Sequence, residues 1–137
     1  MNRLKIQTES KKQVIDITDK INQEIEKLEI KEGLINLFLT HTTAALTTAD
    51  LDPGTDLDYL EFLEKIIPNM QFRHPHDPQH TPDHILSSLI GTSISIPIED
   101  GKLVLGTWQK VILIEFNGPR EREIVLNLSL DGKVSLS

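Results

Sequence analysis

"SISIPIEDGKLVLGTWQKVILIEFNGPREREIVLNLSL", residues 93–130, alternates apolar and polar side chains and is broken by two turn signals, Glu99-Asp100-Gly101 and Asn117-Gly118-Pro119. Successive side chains of a strand point to opposite faces, so a period of two predicts half-buried strands. The stretch divides into "SISIPI", "KLVLGTW", "KVILIEF" and "REIVLNLSL", and four such runs in succession read as a β-meander.

Working back toward the N-terminus, the period changes. "LKIQT" alternates weakly and is read as an opening strand. Thr18 or Asp19 is a good N-cap, and Ile21, Ile25 and Leu28 then recur at helical spacing until Gly33 supplies a stop. "LINLFLT" (34–40) is a short apolar run that reads as a buried strand delivering His41, and the β-branched "TTAALTT" continues it or pairs with it. After "DPGTD", where Asp52 fits a turn before Pro53 and Asp56 fits an N-cap, Leu57, Leu60, Leu63 and Ile67 share one helical face that Pro68 ends. Thr81-Pro82 looks like an N-cap with proline at the first helical position, and Gly91 closes a third helix. Helices in the first two thirds and strands in the last give an α+β fold, a mainly antiparallel sheet covered by helices on one side.

At 137 residues the chain is read as one domain, 1–137, large enough to bury a core without staples. A net charge of −7 argues against coating nucleic acid or an anionic membrane through bulk electrostatics. Cysteine is absent, which removes disulfides, thiolate zinc sites and a cysteine nucleophile. The charged start "MNRLKIQTESKKQ" and the lack of a long apolar run lead to the expectation of a cytoplasmic protein.

Chemistry concentrates in three places. "RHPHDPQHTPDH" (73–84) holds four of the five histidines, and imidazole is a common ligand for zinc and other divalent metals. His41 ends a strand and His84 lies in the first turn of a helix, so the intervening loop could bring His74 or His76 toward them. For His41 alone, a core-edge histidine bonded to a backbone carbonyl is the plainer reading, and for the loop histidines simple solvation is. The acidic stretch "ADLDPGTDLD" adds Asp50, nine residues after His41, as a general base, a ligand or an orienting partner, or merely another turn. "NGPRER" places Arg120 and Arg122 two apart on an extended strand, a fork suited to phosphate or carboxylate, with pairing to Glu121 or Glu123 as the plainer alternative. Two of the four arginines stand at this turn. Trp108, beside Gln109, is the only tryptophan and is read as a core anchor or the wall of a pocket for a flat ring.

Together "HTTAALTTAD", "FRH", "PDHILSSLIGTSISIPIEDGKLVLGTWQ" and "GPRER" resemble the YjbQ-like family, also called secondary thiamine-phosphate synthase-like proteins, in the same order and over nearly the whole chain. The resemblance implies an α+β subunit assembling as a homotrimer with pockets near subunit boundaries. It implies a metal site of His41, His74 and His84, with His76 as the alternative to His74 and zinc as the expected ion. It also implies a weak thiamine-phosphate synthase activity, which joins a hydroxymethylpyrimidine diphosphate to a thiazole phosphate. In that activity Arg120 and Arg122 would hold phosphate, and Trp108 and Gln109 would face a ring. Ala49-Asp50 stands where many relatives carry Asn-Glu, and Asp58 matches an aspartate of the family's following helix, so Asp50 and Asp58 are the two carboxylate candidates for proton transfer.

Two functions of different class follow. The leading one is an enzyme acting on a small phosphorylated or heteroaromatic compound. The other is a non-catalytic trimer that sequesters a metal or metabolite.

Overall fold

The computed structural model describes residues 2–130; Met1 and residues 131–137, which the single-domain expectation includes, lie outside the described residues. The strands are β1 (Asn2–Gln7), β2 (Gln13–Asp16), β3 (Gly33–Leu39), β4 (Ala44–Ala49), β5 (Ser93–Glu99), β6 (Lys102–Leu103), β7 (Lys110–Glu115) and β8 (Glu121–Leu130). The helices are α1 (Thr18–Lys27), α2 (Thr55–Lys65) and α3 (Thr81–Ile90), the last preceded by a short 3-10 turn over Pro78–His80. The α+β class is as expected from the sequence. No helix among the described residues is long and apolar enough to cross a membrane.

The strands form two sheets, one of five strands in the order β1-β8-β3-β5-β6 and one of three in the order β2-β7-β4, with antiparallel pairing throughout. The C-terminal stretch is therefore not a meander. β5 and β6 make a hairpin through Asp100 and Gly101, both at positive φ, but β7 then departs for the small sheet and β8 returns between β1 and β3. Its sequence carries the reason. Residues 111–116, "VILIEF", are all buried, as expected of a strand covered on both faces. Val111 and Leu113 point into the main core with Ile35, Leu37, Leu46 and Ile124, while Ile112, Ile114 and Phe116 point into a second cluster with Ala45 and Leu86.

The resulting layers place the three-stranded sheet in the middle. One face packs on the five-stranded sheet, with Ile21 and Ile25 of α1 inserted into the shared core, each contributing about 1.5–3 kcal/mol by burial. Its other face is covered by α2 and α3. Helix α2 packs on this cluster through Leu60 and Leu63, with Ile67 following just beyond its end, and Leu57, expected on that face, is exposed.

Local corrections concern caps and one strand. Asp16 Oδ1 accepts the Thr18 N–H at 2.9 Å, and neither Thr18 nor Asp19 caps α1. Gly54 at φ 91° occupies the N-cap of α2, with Asp56 inside the first turn. Thr81 is the first residue of α3 rather than its cap, because the 3-10 turn leads directly into the helix. "KLVLGTW" shrinks to the two residues of β6, and the Gln109 N–H donates to the Gly106 carbonyl in a turn.

Candidate active site: a histidine and arginine cleft

The site forms where β3 leaves its sheet. Leu39 makes the last register pair with Ile124, and the next N–H of β8, that of Glu123, donates instead to His41 Nε2 at 2.8 Å. A histidine ring thus replaces the lost ladder acceptor. Burial lowers the pKa of His41, and the Arg122 charge adds to this against the opposing pull of Glu115 and Glu123. The ring is neutral at pH 7, and since Nε2 accepts, its proton resides on Nδ1. The bond runs to a backbone N–H, not to the carbonyl that the plainer sequence reading supposes.

His84, on the first turn of α3, has Nδ1 3.0 Å from the Thr42 carbonyl. A carbonyl only accepts, so Nδ1 holds the proton and Nε2 keeps a free lone pair. His74 stacks on it with ring centroids 5.1 Å apart and planes 8° from parallel. His74 Nδ1 accepts the N–H groups of Asp77 at 3.3 Å and His76 at 3.4 Å, which leaves the proton on Nε2. His80 sits between two carboxylates, with Nδ1 3.0 Å from Asp83 and Nε2 3.0 Å from Asp77. His76 stays exposed at the edge of His74.

Arg122 is not the exposed half of a fork. It is buried and its guanidinium is clasped by Glu115, a residue the sequence reading did not single out. Nε donates to Glu115 Oε1 at 2.8 Å, while Nη2 donates to the other carboxylate oxygen, to Thr43 Oγ1 at 2.9 Å and to the Thr43 carbonyl at 3.1 Å. The Thr8 hydroxyl and the Asn117 N–H also donate to Glu115, at 2.7 and 3.1 Å. Burial alone would raise the Glu115 pKa, but these donors and the Arg122 charge outweigh it and hold the carboxyl below its ordinary range. A charged glutamate inside an apolar run was the available signal, since a buried charge must be paired. Arg120 stays exposed, its Nε donating to the Asn117 carbonyl at 2.8 Å.

His41, His74, His84, Arg120 and Arg122 line one cleft of about 430 Å³ together with Asn117. The other candidates lie elsewhere in the chain. In the β4–β7 ladder Ala44 faces Glu115 near the cleft, whereas Ala49 faces Lys110 at the far end, roughly 17 Å away at strand rise. Asp50, Trp108 and Gln109 belong to that far end. Trp108 is 72% exposed and anchors no core, and Gln109 donates to Thr48 Oγ1 at 2.9 Å. Asp58 is exposed on α2.

The donor set also tests the fit of a metal. Among the described residues no group of three or more His, Cys, Asp or Glu side chains is placed to hold an ion. The reason is the lone pairs. His41 and His74 each use theirs on backbone N–H groups, and only His84 has one to give. As arranged, the three rings do not fit zinc.

The sequence matches the family described as "UPF0047 protein YjbQ-like" over residues 2–131. It is 36% identical over 124 residues to a UPF0047 protein of Archaeoglobus fulgidus, covering 90% of this chain and 96% of that one. It is 38% identical over 128 residues to the UPF0047 protein MJ1081 of Methanocaldococcus jannaschii, covering 92% and 91%. A crystal structure of an Aeropyrum pernix protein, the hypothetical protein APE1520, superposes with a TM-score of 0.87 at 30% identity and covers 95% of this chain and 98% of that one.

Proposed function

The chain belongs to the UPF0047 protein YjbQ-like family, and from that premise we propose that the cleft is an enzyme site that binds the oxyanion of a small phosphorylated compound. Arg120, His41 and His74 supply N–H donors to the anion, Arg120 carries the positive charge, and Arg122, its own charge compensated by Glu115, fixes the wall behind them. His84 Nε2 is the proton acceptor. The observation that carries the reading is the distribution of ring protons, which among His41, His74 and His84 leaves one free ring nitrogen, while Asp77 and His80, which also line the cleft, are engaged with each other. Asp50 and Asp58, the carboxylates favoured by the sequence, do not line this cleft.

The finer form of the reading is weak thiamine-phosphate synthase activity, in which the hydroxymethylpyrimidine diphosphate couples to the thiazole phosphate and diphosphate departs. Its support is the family resemblance together with a donor-rich cleft suited to a diphosphate. Self-association into a trimer is part of the same reading, supported by the exposure of Trp108 and Leu89, away from the cleft. Sedimentation analysis tests the assembly.

Binding of inorganic phosphate and diphosphate by calorimetry tests the site. Arg120→Ala is expected to weaken both about tenfold, the loss of one charge-assisted hydrogen bond. His84→Gln is expected to retain binding and to lose turnover that needs a base, while coupling of the two thiamine precursors, in which the thiazole nitrogen attacks with its own lone pair and releases no proton, is spared. Unchanged affinity in Arg120→Ala overturns the anion role.

One observation favours a second reading. His84 donates Nδ1–H to a backbone carbonyl, the usual way a metal-binding histidine is oriented. A zinc site of His41, His74 and His84 requires His41 to release the Glu123 N–H and His74 to release the N–H groups of His76 and Asp77. Near-stoichiometric zinc by elemental mass spectrometry, lost in His84→Ala, would establish it in place of the first reading.

A further inference from the structure

Beside the cleft lies an open groove of about 650 Å³ whose wall is shared with it at Thr40, His41, Thr42 and His84. Its remaining wall is Phe38, Leu39, Ser87, Ser88 and Thr92. Phe38 is 44% exposed at the end of β3, an aromatic face left open next to a polar site. Thr40, Thr42 and Thr92 bring hydroxyls to its edge, but the two serines offer the groove no donor. Ser87 Oγ donates to the Ala44 carbonyl at 2.6 Å and Ser88 Oγ to the Ile85 carbonyl at 2.9 Å, so both hydroxyl protons are already committed.

Resting on the anion reading above, we infer that the ligand is a phosphate monoester of an aromatic or aliphatic group, its phosphate in the histidine and arginine cleft and its apolar body in the groove against Phe38. The continuity of the two spaces through His84 argues for one ligand spanning both. A sugar phosphate finds partners only at the Thr40, Thr42 and Thr92 hydroxyls and the serine lone pairs, and still places hydroxyls against the Phe38 ring, where nothing bonds them. An apolar body loses nothing there and gains by leaving water.

Calorimetry on the full chain with phenyl phosphate, glycerol 3-phosphate and inorganic phosphate tests this. Phenyl phosphate is expected to bind about tenfold more tightly than glycerol 3-phosphate, as burial of about 60 Å² of apolar surface would give. Phe38→Ser should erase that preference and leave inorganic phosphate unchanged. Ser88→Phe, which fills the groove from the exposed side of α3, should do the same without altering the sheet. Equal affinity for the two esters in the wild type, or equal weakening of all three ligands in both variants, overturns the groove and leaves the anion cleft standing. A different pattern separates the two readings in the other direction. Phenyl phosphate and neutral benzyl alcohol that both shift the Phe38 and Thr92 resonances, with inorganic phosphate unbound and Arg120→Ala without effect, would overturn the anion cleft and the spanning ligand. Failure of every ligand to bind overturns both.

Discussion

The rings of His74 and His84 lie face to face at 5.1 Å, yet they hold their protons on different nitrogens, Nε2 in His74 and Nδ1 in His84. The backbone imposes the difference, offering N–H groups to the first and a carbonyl to the second. Long-range proton–nitrogen NMR at neutral pH is expected to find His41 and His84 in the Nδ1–H form and His74 in the Nε2–H form. A His41 spectrum with the proton on Nε2 would remove its bond to the Glu123 N–H and with it the donor arrangement of the cleft.

Arg122 and Glu115 stabilise one another only as a pair. Removing one partner leaves a charge buried without compensation, and Glu115→Ala is expected to cost about 3–5 kcal/mol in urea unfolding. Replacing both, as Glu115→Leu with Arg122→Met, is expected to recover most of that loss. A double variant as unstable as the single one would show that Thr43 and Thr8, not the charge pairing, set the cost.

Acidification is expected to destabilise the protein in two windows. His41 has a folded pKa below its ordinary 6.5, chiefly through burial, so below 6.5 the unfolded chain takes up a proton that the folded chain refuses. Stability is complete above that value and falls as pH drops through the folded pKa. Glu115, held below its ordinary 4.5 by its donors against the effect of burial, adds a second loss at lower pH as its carboxylate is protonated. His41→Gln keeps an acceptor for the Glu123 N–H without a titrating ring. Unfolding from pH 8 to 5 should show a slope in the wild type that this variant lacks, and parallel curves would assign the slope to other groups.

Much of the fold was readable because burial follows period. Ile21 and Ile25 at helical spacing are both fully buried, and "LINLFL" matches β3. Partner choice was not readable, because alternation specifies faces and not neighbours, and β7 joins a second sheet although its own strand signal was plain. At the site, the sequence brought His41, His74, His84 and the arginines to attention, and all of them line one cleft. It could not show which lone pairs the backbone would claim, nor that Glu115, seven residues before Arg122, would take its guanidinium. Asp50, Trp108 and Gln109 stood out by residue type, but the length of the β4–β7 ladder separates them from the cleft.

Gly118 is where the backbone itself limits the site. A Cβ there would collide with the Ser10 carbonyl oxygen and come within 2.8 Å of Thr8 Oγ1 and 2.9 Å of Glu115 Cγ. The first of these is backbone and cannot rotate away. The Gly118 N–H also donates to the Lys11 carbonyl at 2.9 Å, which pins the turn against the β1–β2 connection. Gly118→Ala must therefore displace the segment carrying Thr8, one of the donors that keep Glu115 ionised. The expected cost is about 1–3 kcal/mol of stability, typical of overpacking, together with weaker phosphate binding as Glu115 and Arg122 shift beneath the cleft. Urea unfolding and phosphate calorimetry on the same preparation check both, and an alanine variant with wild-type values in each would mean that the turn relaxes without moving Thr8.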